Sequence, residues 1–317
     1  MTIRDARKKA YSALTDTNLT YSTPSPFLDI DCFLMKLLNV DRTYLIARDD
    51  EILGEALYDR FLHMLEKRKT GLPVAYILQE KEFWGLKFYV NESVLIPKSD
   101  TEILVEQALL CAKKDFSKCS AFTLLDLCCG SGCAGIAIMH TLLQDKVFKF
   151  ISCTASDISS EALSIAKINY KNLLYASDSA SLKDSYSETE LVQSDLFSSP
   201  VFLDSQFDLI VSNPPYVPSS MTDELLMDGR SEPRLALDGG IKGLDILERL
   251  IKNALPYLKK GGTLMLETGE YNAYETAELL RSSGFTNIEH VKDLAGQNRV
   301  VIGKSPDNTD DFLPHTG

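Results

Sequence analysis

The chain has 317 residues, 44% hydrophobic and 25% charged, a composition for one large globular domain with a smaller one beside it. A net charge of -12 provides no basic face for wrapping a phosphate backbone, which argues against a direct nucleic-acid substrate. The seven cysteines include no CxxC pair, so neither a metal site nor a disulfide framework is expected and a cytoplasmic location fits; no apolar run reaches the roughly 18 to 20 residues that span a bilayer. The opening MTIRDARKKAYSAL also lacks the apolar stretch of a signal peptide.

In chain order, residues 1 to about 75 read as a small helical bundle. Its clearest helix is 51–68, where Leu53, Leu57, Phe61 and Leu65 recur every four residues behind Asp49 and Asp50 as caps. The period then changes to two at Trp84, Leu86, Phe88 and Val90, and Asn91-Glu92-Ser93 reads as a turn before Val94, Leu95 and Ile96, which predicts a β-hairpin. Ser99-Asp100-Thr101-Glu102 has capping-box spacing, with the serine capping a helix that runs to about 113 and the glutamate reaching back. From there the pattern is α/β: strands at 122–127, 149–156, 190–194, 206–212, 261–267, 286–291 and 298–303, with helices at 132–145, 159–175, 241–260 and 272–283 between them. Such alternation predicts a seven-stranded, doubly wound, mostly parallel sheet. The serine-rich 176–189 reads as a polar excursion, and 305–317 as a frayed tail. The expected divisions are a helical domain at 1–78, a linking hairpin at 79–98 and an α/β domain at 99–304.

The first strand of that sheet ends in Asp126-Leu127-Cys128-Cys129-Gly130-Ser131-Gly132 and runs into an apolar helix, where a doubly wound fold holds its ligand. Gly130-Ser-Gly132-Cys-Ala-Gly135 also satisfies GxGxxG, so a dinucleotide dehydrogenase has to be weighed. Asp157, about 25 residues beyond Gly132, ends the next strand where a carboxylate accepts the ribose hydroxyls of an adenosine in either class. Asp126 discriminates between them. Its charge suits a ligand with an ammonium and a sulfonium and opposes a pyrophosphate, so S-adenosylmethionine is preferred over NAD. Asp195 and Leu196, ending the third strand, are placed to meet the adenine amino group and ring.

The apolar strand Phe207-Asp208-Leu209-Ile210-Val211-Ser212 delivers Asn213-Pro214-Pro215-Tyr216. An amide nitrogen is a poor nucleophile because its lone pair is delocalised, so catalysis must hold its two hydrogens and aim the third direction at the methyl carbon. The Asn213 side-chain oxygen and the Pro214 carbonyl are the expected acceptors, Pro214 and Pro215 stiffen the loop, and Tyr216 walls the planar group. None of the four histidines falls in these motifs, and no general base is evident. The same tetrapeptide can hold the exocyclic amine of a flipped adenine, so an N-adenine nucleic-acid methyltransferase is a rival reading, weakened by the absence of a basic groove. A non-catalytic S-adenosylmethionine-binding scaffold is a second.

Together these residues resemble the release factor glutamine methyltransferase family (HemK/PrmC type) over about 68–304. Further matches are Gly71-Leu-Pro73-Val-Ala-Tyr76-Ile, Glu82-Phe-Trp84-Gly85-Leu, Leu95-Ile-Pro97-Lys98-Ser-Asp-Thr101-Glu102, Glu232-Pro-Arg234-Leu-Ala-Leu-Asp238-Gly-Gly240, Glu267-Thr-Gly269 and Asp293-Leu-Ala-Gly296. The resemblance implies a class I methyltransferase sheet, a helical domain that engages the partner, and methylation of the glutamine in the Gly-Gly-Gln (GGQ) loop of class I peptide chain release factors. A sister family that modifies a glutamine of a ribosomal protein shares the Asn-Pro-Pro-Tyr signature but usually lacks the Arg-Leu-Ala-Leu-Asp run. Two positions depart from the family: Cys128 stands where its loop usually begins with glycine, and Lys98 where it has arginine. Ordinary φ is expected at Cys128, since a positive value would cost a cysteine roughly 1 to 2 kcal/mol.

Overall fold

The computed structural model describes residues 1–16, 23–175, 186–227 and 231–307. The chain divides into two compact units, the first comprising Met1–Glu80 with Val90–Glu92 and Asp223–Glu232, the second Lys81–Tyr89, Ser93–Thr222 and Pro233–Gly317. Among the described residues no helix is long and apolar enough to cross a membrane.

The first unit contains α1 (Ile3–Leu14), α2 (Pro26–Leu38), α3 (Arg42–Ala47), α4 (Glu55–Lys69) and α5 (Val74–Leu78). One apolar stripe from each of the longer helices, including Ala6, Ala10, Phe33, Leu34, Phe61 and Leu65, closes a single core. Helix α4 starts later than the sequence suggests, with Gly54 at its N-cap instead of Asp49 or Asp50. The reason is tertiary: Asp49 is paired with Arg4, and the 49–53 backbone hydrogen-bonds to the chain start, Ile3 N–H donating to Glu51 O and Leu53 N–H to Met1 O.

The second unit opens with a short antiparallel hairpin, β1 (Lys81–Phe83) and β2 (Leu86–Phe88). Its turn is Trp84-Gly85, both at positive φ (53° and 70°), a two-residue reversal matched to strand twist. Residues 92 and 93 do form the predicted turn, but it closes no hairpin: 94–96 form no strand, which corrects that expectation. The capping box is also absent: α6 (Thr101–Asp115) has no side-chain cap, and Glu102 instead accepts the Trp84 N–H at 3.1 Å, so the glutamate satisfies the hairpin turn.

Seven strands follow: β3 (Ala121–Leu127), β4 (Phe150–Asp157), β5 (Tyr186–Gln193), β6 (Phe207–Ser212), β7 (Leu258–Glu267), β8 (Thr286–Lys292) and β9 (Asn298–Lys304). They form one sheet in the order β5-β4-β3-β6-β7-β9-β8, parallel from β5 to β7 with β9 antiparallel to both β7 and β8. This is the seven-stranded Rossmann-like sheet of class I methyltransferases. All six residues of central β6 are buried, so Leu209, Ile210 and Val211 run without polar alternation, while the buried Asp208 is paired with Lys259. The helices of this part are α7 (Cys133–Gln144), α8 (Ser160–Leu173), α9 (Ser219–Met227), α10 (Arg234–Leu237), α11 (Asp245–Ala254) and α12 (Ala273–Ser282). The predicted helix 241–260 is shortened because Pro256 sits in a 3-10 turn (Leu255–Tyr257) that leads directly into β7. Strand β5 takes in 186–189, the last residues of the predicted excursion, while 176–185 and the tail from 308 lie outside the described residues. The order reverses between β3 and β6, which creates a crevice at their carboxyl ends.

Candidate active site

A cavity of about 540 Å³ lies over that reversal and is lined by the strand-end residues Asp126, Asp157, Asp195 and Asn213. Asp126 is 2% exposed, and its Oδ2 accepts the Gly135 N–H at 2.9 Å in the first turn of α7. That approach requires glycine: a Cβ at position 135 would lie 2.8 Å from the same oxygen. Burial pushes the Asp126 carboxyl up to about 7, against the lowering effect of the Gly135 N–H. A cationic ligand reverses that preference, because it stabilises the ionised form. Asp157 is also raised by burial, while its Oδ2 accepts the Gly130 N–H at 2.8 Å and its Oδ1 the Ser159 N–H at 2.9 Å. Each oxygen keeps a lone pair for a ligand hydroxyl.

The intervening loop corrects one expectation. Cys128 has φ of 60°, in the left-handed region, where its Cβ costs roughly 1 to 2 kcal/mol. The Cys128 side chain packs against the buried cluster of Leu125, Leu127 and Ile210, which offsets part of that strain. Burial raises the thiols of Cys128 and Cys133 to about 12 and that of Cys129 well above its ordinary value, so all three stay protonated near neutrality and are poor nucleophiles.

On the opposite wall, Asn213 lines the cavity and its Nδ2 donates to Thr101 Oγ1 at 3.2 Å. Pro215 also lines it, whereas Pro214 is buried and Tyr216 directs its hydroxyl to Glu267 Oε1 at 3.0 Å. Segment 237–243 fixes this loop from outside. Val217 N–H donates to Leu237 O (2.9 Å), Gly239 N–H to Val217 O (2.8 Å), and Asn272 Nδ2 to both Tyr216 O (3.0 Å) and Gly243 O (3.1 Å). A side chain at Gly239 would meet Pro215 O at 2.7 Å, so the two segments touch backbone to backbone.

Of the residues singled out from sequence, Asp126, Cys128, Cys129, Gly130, Ser131, Asp157, Asp195, Leu196, Asn213 and Pro215 line one cavity. Gly132, at the N-cap of α7, Pro214 and Tyr216 do not. Asp195 is engaged by Arg249 of α11 at 2.7 Å. Thr101, Arg249, Leu235 and Lys98 line the cavity without having been given a role from sequence, and Glu267 stands behind Asn213 through Thr101 and Tyr216. The Leu95–Glu102, 232–240 and Glu267–Gly269 matches covered all of these but Arg249, for which the sequence held no signal, since each residue is ordinary in type.

A buried carboxylate at the switch point suits a cationic ligand and opposes a pyrophosphate. The chain is therefore a class I methyltransferase that uses S-adenosylmethionine. Comparison with known proteins agrees at both ends: residues 5–78 match the PrmC N-terminal domain and residues 107–228 the methyltransferase small domain. A protein of Clostridium acetobutylicum named release factor glutamine methyltransferase is 35% identical over 95% of this chain and 98% of its own length. One of the same name from Koribacter versatilis is 36% identical over 96% and 99%. The chain belongs to the release factor glutamine methyltransferase family. Among solved structures, the hMettl16 catalytic domain in complex with MAT2A 3'UTR hairpin 1 shares the fold, with a TM-score of 0.52 at 14% identity over 89% of this chain and 92% of that one.

Proposed function

We propose that this protein transfers a methyl group from S-adenosylmethionine to the side-chain amide nitrogen (N5) of the glutamine in the GGQ loop of a class I peptide chain release factor, in the cytoplasm. The observation that carries the reading is the juxtaposition of Asn213 and Asp126 on one cavity. S-adenosylmethionine supplies an electrophilic methyl carbon on a sulfonium. Asp126 would hold its ammonium, Asp157 its ribose hydroxyls, and Leu196 its adenine ring. Asp195 serves the adenine amino group with the oxygen that Arg249 leaves open.

Asn213 Oδ1 would accept one hydrogen of the glutamine amide, and the carbonyl of Pro214, a residue outside the cavity lining, would have to turn in to accept the second, leaving the nitrogen facing the methyl carbon. These acceptors also oppose the positive character that the nitrogen gains as the bond forms, so they bind the transition state more tightly than the ground state. Tyr216 acts from behind, its hydroxyl on Glu267 keeping the loop in register. Mass spectrometry of a release factor's Gly-Gly-Gln peptide, after incubation with the protein and the methyl donor, is expected to show one added methylene on the glutamine. Label transferred to duplex DNA and not to the release factor would reject the reading in favour of an adenine methyltransferase.

A further inference from the structure

Helix α11 runs beside the donor cavity, and its residues divide between two faces. Leu247, Leu250, Ile251 and Ala254 are buried in the core, whereas Ile246 and Arg249, three residues apart, line the cavity. The helix is anchored in the segment that grips the Asn-Pro-Pro-Tyr loop, the Asp245 N–H donating to Gly239 O at 2.9 Å. Arg249 follows about one turn later, which brings its guanidinium to the cavity wall.

There it meets Asp195, Nη2 donating to Oδ2 at 2.7 Å. The Asp195 backbone is fixed separately, its carbonyl accepting the Ser198 N–H at 3.1 Å in a turn that puts Leu196 at φ of 52°. The Arg249 and Asp195 side chains are 52% and 46% exposed, and a pair so well solvated adds little to the stability of a fold. Its position on the cavity gives it a different use.

The two side chains have opposite hydrogen-bonding character. A carboxylate only accepts and a guanidinium only donates, and the bond between them leaves Asp195 Oδ1 and further Arg249 N–H groups to meet a ligand. Adenine carries the matching edge, an amino donor beside the unprotonated ring nitrogen N1. A 6-oxopurine inverts that edge: an oxygen would face the carboxylate with no proton between them, and N1–H would face the guanidinium. Arg249 alone has the contrary preference, because a free guanidinium pairs well with a 6-oxo group and N7, as arginine does with guanine. Holding Arg249 against Asp195 therefore matters as much as having it in the cavity.

We infer that Asp195 and Arg249 act as a unit that selects a 6-aminopurine in the methyl donor: Asp195 Oδ1 accepts the amino group, an Arg249 N–H meets N1, and their mutual bond keeps each in that role. Arg249 is the new specificity-determining residue, outside every family motif quoted above. The inference deepens, and rests on, the reading that places the adenine at Asp195.

The test uses the full-length protein and two ligands, S-adenosylhomocysteine and its deaminated analogue S-inosylhomocysteine, which differ in that purine edge alone. Their calorimetric Kd values are compared for the wild type, Arg249→Met, Arg249→Lys and Asp195→Ala, and the ratio is the readout. The wild type is expected to prefer the adenosyl ligand by about 10- to 100-fold. Arg249→Met keeps an unbranched side chain without its donors and should lower that preference about 5- to 10-fold, while Arg249→Lys, which keeps the charge and loses the fork, should recover part of it. Asp195→Ala frees the arginine and should bring the ratio to unity or invert it. Arg249 is half exposed, so its replacement opens no core cavity, and thermal unfolding checks that each variant is folded. A purely structural role for the arginine would raise both Kd values by one factor and leave the ratio as it was, which overturns the inference while the placing of the adenine stands. A wild type that does not distinguish the two ligands overturns both. Release-factor methylation plays no part in the readout, so failure of the substrate assignment is seen separately.

Discussion

Gly135 N–H and Asp126 Oδ2 are 2.9 Å apart, and that contact joins the first strand of the sheet to the first turn of α7 directly beneath the cavity. Gly135→Ala places a methyl against the carboxylate and against Tyr170, whose hydroxyl would be 2.5 Å from it. Destabilisation by about 1 to 3 kcal/mol is expected, together with weaker donor binding, measurable by denaturant titration and calorimetry.

The same carboxyl should make donor binding pH-dependent. With its pKa raised to about 7, Asp126 is partly protonated in the free protein near neutrality and must ionise to meet a cation. Donor binding at about pH 7 is expected to release about half a proton, seen as a dependence of the calorimetric heat on the buffer's ionisation enthalpy, and Asp126→Asn should abolish it. A raised carboxyl pKa adds stability that is fully present below the unfolded value of 3.8 and is lost as pH rises through about 7. Asp126→Asn should accordingly lessen the decline in unfolding midpoint between about pH 5 and 8.

Asn213→Ala removes an acceptor whose effect is concentrated in the transition state. A loss in kcat of about 100-fold or more is expected, with donor affinity within about 3-fold of wild type. Turnover unaffected by this change would refute the role given to Asn213.

Two substitutions at Cys128 separate backbone strain from side-chain packing. Both remove the thiol, but Cys128→Ala keeps the Cβ at φ of 60° and Cys128→Gly does not. The glycine variant should be the more stable of the two by about 1 kcal/mol in denaturant unfolding, and equal stability would mean that the position carries no strain.

In the helical unit, the buried pair Arg68–Asp29 spans 2.7 Å with both side chains nearly enclosed, and Arg68 also donates to the carbonyls of Gly71 and Leu72. Asp29→Ala removes the carboxylate that this enclosed guanidinium pairs with and should cost about 3 to 5 kcal/mol in thermal or chemical unfolding.

Much of the site was legible because strand ends announce themselves. Asp126 follows an apolar run, Asp157 and Asp195 stand at the ends of the next two strands, and Asn213 follows six residues that are all buried in the sheet. The Ser99–Glu102 spacing misled for the opposite reason. A capping box is a local bond, and the Trp84 N–H, exposed by a two-residue turn and brought close by folding, competed for the Glu102 carboxylate. The short helices α9 and α10 gave too little periodicity to be seen. Positive φ at Cys128 could not be read from a residue type that ordinarily avoids it.

The sequence by itself determined the alternation of strand and helix, the acids at the strand ends, and the tetrapeptide that begins where β6 stops, because periodicity and turn chemistry act over a few neighbouring residues. Tertiary structure alone decided what stands behind that tetrapeptide. Thr101 meets Asn213 across 112 residues and Tyr216 meets Glu267 across 51, and the pKa of Glu267 depends on being enclosed by elements from distant parts of the chain. Such contacts arise from the order in which strands assemble, and burial then sets their electrostatics, which local spacing does not encode.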